Sequence, residues 1–188
     1  MTISDDHVTT SLSSLRQDLR VRTARGSSAL LGGALLWTAF GLLGLVLPDQ
    51  SERALVYLFG AGLLFPLSLA MARLRGLDPF ATGNPLGMLA GLLGAVQILY
   101  IPVLLGTYFL APEAVPWFLG VLVGAHLLPF AWLFGSAGYL LAAVGTTIAA
   151  GLTGWLTSAQ SHVTTPFAVA SVLAAATAVL LRECRADR

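Results

Sequence analysis

Apolar residues dominate the chain in six blocks, each separated from the next by a short break carrying proline, glycine or charge. The blocks run at about 28–47, 54–72, 86–108, 115–134, 137–157 and 165–181. As helices, all are of a length suited to crossing a hydrocarbon layer of about 30 Å. A run that is apolar around its whole circumference has no solvated face to offer water. The pattern predicts an all-α membrane protein, a six-helix transmembrane bundle over 28–182. A polar segment, 1–27, precedes it and a short tail, 183–188, follows. Pro48 closes the first span. Asn84-Pro85 and Thr165-Pro166 open the third and sixth as a cap followed by a first-turn proline, whose missing amide costs nothing at that position.

Composition agrees with the pattern. Of 188 residues, 56% are hydrophobic and 10% charged, with a mean hydropathy of +0.82. A soluble domain carries about a quarter charged residues. All ten basic residues are arginine. With the N-terminus in the cytoplasm, Arg16, Arg20, Arg22, Arg25, Arg73, Arg75, Arg182, Arg185 and Arg188 fall inside and only Arg53 outside. This asymmetry predicts a multi-pass protein of the cell membrane with both termini cytoplasmic. Residues 1–26 are polar and include Asp5, Asp6 and Asp18, so the first apolar block is expected to be a retained span and not a cleaved leader. Cys184 is the single cysteine, which leaves no partner for an intrachain disulfide.

Two features suggest how the soluble and packed surfaces are used. Residues 12–22, LSSLRQDLRVR, place Leu12, Leu15 and Leu19 on one helical face, with Arg16, Arg20 and Arg22 largely elsewhere. With Arg25, these arginines read as a basic face of a short helix lying on anionic lipid, or as a charged flank that sets topology. Within the spans, Gly138, Ala142, Thr146, Ala150 and Gly154 form a small-residue stripe at four-residue spacing, and Gly87/Gly91 and Gly120/Gly124 form shorter ones. Such stripes let helix backbones approach closely, within one chain or between copies in a homo-oligomer.

The polar residues inside the apolar blocks are the candidate site. At 1.5 Å per residue, His126 and Gln97 each lie roughly 16 Å from the start of their antiparallel spans, near the bilayer midplane. Pro66 sits at a similar depth, and Pro102 and Pro129 lie within a turn or two of it. Each proline removes a backbone hydrogen bond. Uncompensated polar groups are costly in hydrocarbon, so His126 and Gln97 are expected to face the bundle interior. Tyr100 follows Gln97 on a similar face. A direct hydrogen bond in a membrane interior is worth only about 0.6 kcal/mol on average, so structural glue is a modest reason for two buried polar residues. A ligand or ion pathway and pH sensing are the alternatives.

Other chemistries find little support. Every carboxylate lies in a terminus or loop, so among the spans only His126 offers a proton carrier. His7, His126 and His162 fall in three different compartments, which argues against a metal site. GSAG, at 135–138, fits a tight helix hairpin better than a reactive serine loop. No cofactor, nucleic acid or enzymatic constellation is expected.

NPLG (84–87), QILY (97–100) and GAHLLPFAWL (124–133), with the basic lead-in LRQDLRVRTARG (15–26), together resemble an uncharacterised bacterial integral-membrane family over about residues 12 to 182. The resemblance implies a multi-span protein and carries no activity. Its matching positions are Asn84, Gln97, Tyr100, His126 and Pro129. Two functions stand as expectations: a small transporter or channel-like protein with a midplane pocket for a small molecule or ion, or a non-enzymatic membrane subunit or sensor acting through helix and lipid contacts.

Overall fold

The computed structural model describes residues 11–187; His7, Asp5 and Asp6 lie outside them. Among the described residues the chain is helical with no strands. Seven helices follow in order: α1 (Leu12–Thr23), α2 (Ser27–Val46), α3 (Gln50–Leu74), α4 (Pro85–Leu110), α5 (Val115–Phe134), α6 (Ala137–Leu156) and α7 (Ser161–Ala186). The last six are long and apolar enough to cross a membrane, so this is a multi-pass membrane protein whose spans contact the lipid bilayer.

The prolines act differently in different spans. In α4, Pro102 has no N–H for the Ile98 carbonyl, which takes the Ile101 amide instead. The helix tightens to a 3-10 turn over Val96–Tyr100. In α3, a 3-10 turn at Ala61–Leu63 precedes Pro66. α5 passes Pro129 without leaving the α-helix. The sixth span departs from the sequence expectation. It starts at Ser161 and carries Pro166 in its second turn. Proline there frees the His162 carbonyl, and the Tyr57 hydroxyl from α3 supplies the donor. Gly44 of α2 passes against the same carbonyl, where a Cβ would overlap it.

Four spans make a frame. α2, α7, α6 and α5 pack in that order, each closely against the next. Glycine sets the distances: a Cβ on Gly41 would meet the Phe167 ring, on Gly138 the α7 backbone at Ala176 and Leu180, on Gly120 the side chain of Ala150, and on Gly154 the Trp117 side chain. The Gly138–Gly154 stripe therefore serves contacts within this chain. Gly91 differs, because nothing lies within 4 Å of the place where its Cβ would be. α3 and α4 stand outside the frame. Only 11% and 6% of their most apolar windows are buried, against 33–44% for the other spans.

α1 and the end of α7 meet at the end of the bundle where α5 stops. Gly135, at φ 54°, turns the chain out of α5, and the Gly135 and Ser136 amides cap the Trp132 and Ala131 carbonyls. The remaining carbonyls are taken by arginines. Arg16 donates to Trp132 and, at 3.1 Å, to Leu133. Arg20 donates to Phe134 at 2.7 Å. Arg25 donates to Phe134 at 3.0 Å and Gly135 at 3.2 Å. Its other face grips Asp187 through two bonds of 2.5 and 2.7 Å. Arg25 is placed for this by a left-handed run, Ala24, Arg25 and Gly26, at φ 45°, 51° and 68°. Left-handed backbone is costly for the two residues other than glycine. It is held by Cys184 Sγ on the Ala24 carbonyl at 3.3 Å and the Tyr139 hydroxyl on the Gly26 carbonyl at 3.2 Å.

Two outcomes follow from this packing. Gly124→Ala would drive a Cβ into the Thr147 amide and the Ala143 carbonyl, so melting in detergent is expected to show a loss of about 1–3 kcal/mol. Gly94→Ala, with nothing within 4 Å, is expected to be neutral or mildly stabilising; equal losses in both would refute the division into tight and open faces. The second concerns pH. The Arg25 hydrogen bond holds the Asp187 carboxyl below its ordinary value. Its stabilising contribution is therefore complete above the ordinary carboxylate range and is lost as pH falls through the lowered value. Hydrogen exchange over residues 12–23, corrected for intrinsic rate, is expected to rise in that acidic window, and Asp187→Asn is expected to raise it already at neutral pH.

Candidate functional site

His126 lies on the inner face of α5, 7% exposed. It meets α4 where that helix is drawn into its 3-10 turn. The Tyr100 ring stands edge-on to the imidazole, with centroids 6.5 Å apart and planes at 85°. Phe130, one turn along α5, also packs edge-on, at 5.4 Å. Among the described residues neither ring nitrogen of His126 has a hydrogen-bond partner. The side-chain N and O atoms both fully enclosed and unpaired there are Ser68 Oγ and Thr146 Oγ1, so the imidazole nitrogens share the residue's small remaining exposure. A buried imidazole with two aromatic neighbours and no polar partner is ready to accept or donate one hydrogen bond to a small guest.

The remaining sequence candidates are placed unevenly. Gln97 stands in the same 3-10 turn, half-buried, and its amide bonds neither His126 nor any other described residue. Pro66, Pro102 and Pro129 are all exposed. They border no pocket with His126, because each points out from the bundle while its backbone effect is felt within the helix. Asn84 is also separate from the midplane. It caps α4, its oxygen accepting the Leu86 amide at 2.9 Å while its Nδ2 donates to the Leu15 carbonyl and to Asp18. Thus it ties the start of α4 to α1. Of the seven pocket candidates, the structure brings Tyr100 against His126 and keeps Gln97 one turn away.

The four basic candidates are also used inside the protein. Besides the carbonyl contacts of Arg16, Arg20 and Arg25, Arg22 donates to Asp78 at 2.5 Å, to Asp18 at 3.3 Å and to the Thr82 carbonyl at 2.9 Å. Arg16 also stacks over Trp132, 4.8 Å from the ring centre. The basic face of α1 therefore turns to the bundle and the α3–α4 loop, leaving Val21 and Leu12 exposed.

A connection absent from the sequence reading runs between these two regions. From His126, the aromatic contacts continue through Phe130 to Phe134 and Tyr139, with ring centroids 5.2–6.2 Å apart. Tyr139 then reaches the Gly26 carbonyl. The i, i+4 spacing of His126, Phe130 and Phe134 was the available signal. Tyr139, on the next helix, had none.

No metal-binding group of three or more His, Cys, Asp or Glu occurs among the described residues. No curated protein and no solved structure matches the chain. Residues 12–183 do match a defined family, which is almost the same stretch, 12 to 182, over which a membrane family was expected. The chain therefore belongs to the family described as a family of unknown function, DUF7010.

Proposed function

We propose that this protein is a small transporter-like carrier of the cell membrane, with both termini cytoplasmic, that handles a small polar solute along the seam between α4 and α5. One observation carries the reading. The unpaired His126 imidazole and Tyr100 meet at the one place where α4 leaves α-helical geometry. Mid-helix 3-10 turns often mark hinges, and polar groups beside broken helices are how membrane carriers make midplane sites. The weak burial of α4 supports it further, since little packing resists its movement against the frame. On this reading the chain is not an enzyme. The imidazole and phenol bind; they do not react.

A second reading has its own support. The four-helix frame is filled by interlocked glycines and aromatics, as suits a membrane subunit that works through contacts. The open glycine positions of α4, Gly91, Gly94 and Gly106, would then face a partner helix.

Water access separates the two. In a Cys184→Ser background, Tyr100→Cys is expected to react with a membrane-impermeant thiosulfonate. Leu99→Cys, 73% exposed on the lipid side, is expected to stay unlabelled. Protection at both positions would remove the carrier reading in favour of the subunit.

A further inference from the structure

At the end of the bundle opposite the arginine knot, the starts of α3, α5 and α7 enclose a cleft of about 390 Å³. This volume lies in the range of small-ligand sites. Charges of both signs line it. Gln50 and Arg53 come from α3, Glu113 from the α4–α5 loop and His162 from α7. The ion pairs among the described residues lie at the other end, between Arg22 or Arg25 and Asp18, Asp78, Glu183 or Asp187. Arg53 and Glu113 thus share one cleft without neutralising each other.

The bonding capacity left over is specific. Arg53 spends Nε on the Leu47 carbonyl at 2.5 Å and Nη2 on Pro48 at 3.0 Å, which leaves Nη1 unspent among the described residues. Gln50 gives its amide N–H to Glu113 Oε2 at 2.8 Å; its own oxygen and Glu113 Oε1 remain as acceptors. The His162 imidazole lines the same cleft and offers a ring N–H. The walls are fixed in advance. Ser161 Oγ holds the Glu113 carbonyl at 2.8 Å, and the Tyr57 hydroxyl holds that of His162. The cleft lining therefore offers donors to an anion and acceptors to a cation carrying N–H groups.

We propose that this cleft binds a phosphate joined to a primary ammonium, the phosphoethanolamine group, with the phosphate on Arg53 and His162 and the ammonium on Glu113 and Gln50. The helix ends that form it lie at headgroup depth, and exposed Trp155 closes the neighbouring span as an interfacial anchor. A primary ammonium donates hydrogen bonds to both acceptors, whereas a trimethylated choline donates none. The site therefore distinguishes two headgroups of equal charge.

The test is native mass spectrometry of the purified full chain titrated with phosphatidylethanolamine or phosphatidylcholine. Wild type is expected to prefer the ethanolamine lipid by about tenfold, the scale of one charge-assisted hydrogen bond. Glu113→Gln is expected to abolish the preference while retaining the shape of the cleft. Arg53→Gln is expected to weaken both lipids alike. Glycerophosphoethanolamine and glycerophosphocholine form the soluble arm: discrimination between them, with displacement of lipid, makes the natural ligand a free solute. Discrimination only between the diacyl forms makes it a membrane lipid. Equal binding of both headgroups by wild type, or an intact preference in Glu113→Gln, overturns the proposal.

Discussion

The end of α5 poses a problem that much of the rest of the molecule is arranged to answer. A helix terminus leaves its last carbonyls without intrahelical donors, and burying them unpaired costs free energy. Here the Trp132, Leu133, Phe134 and Gly135 carbonyls meet Arg16, Arg20 and Arg25. Cations are also favoured at this end by the helix dipole. To deliver three guanidinium groups to one helix end, α1 must fold back across the bundle. That requires the left-handed turn at Ala24–Gly26, and the turn in turn requires donors from Tyr139 and Cys184. The C-terminal tail enters because Arg25 still has a face to pair, and Asp187 with Glu183 takes it. Backbone satisfaction, the docking of α1 and its tie to the end of α7 are one linked arrangement.

The opposite end shows the same economy. Pro166 releases a carbonyl that Tyr57 recovers, and Gly44 makes room for it. α2, α3 and α7 are joined at a point where a proline would otherwise leave an unpaired acceptor. Between these two polar ends the frame depends on close backbone approach, since lipid supplies no hydrophobic drive for one helix to prefer another. Glycines at Gly41, Gly120, Gly124, Gly138 and Gly154 provide that approach. α3 makes one such approach, Gly60 against Phe40 of α2, whereas Gly91, Gly94 and Gly106 of α4 meet nothing within 4 Å.

Helix number and extent were legible because the bilayer is an undiscriminating solvent: a long apolar run has one outcome in it. Side-chain partnership was not. Arginine counting separates the two ends of the bundle, yet Arg16 and Arg20 answer carbonyls more than a hundred residues away, and spacing carries no trace of that. Proline direction was not readable, since Pro66, Pro102 and Pro129 lie on exposed faces that only the packed neighbours define. Pro166 looked like a helix start because its rescue comes from Tyr57 in another span. His126 was findable because a polar side chain in an apolar run must be accommodated somewhere. Its neighbour Tyr100 was named through Gln97, three residues before it on a similar face, while Phe134 and Tyr139 became part of the same region only through tertiary packing.

The placement of the weakly packed spans gives the midplane its mechanical character. α4 is tied at one end by Asn84 to Leu15 and Asp18, and the loop before it by Asp78 and Thr82 to Arg22. Beyond its other end Glu113 bonds Gln50 and Ser161. Its middle has no polar tether among the described residues, and there its helical hydrogen bonding is already altered by Pro102. A rod anchored at both ends and softened at the centre bends at the centre. Tyr100 stands at that point against His126, which is fixed to the rigid side by the frame. Any bending of α4 at that point would therefore change the space beside the imidazole first.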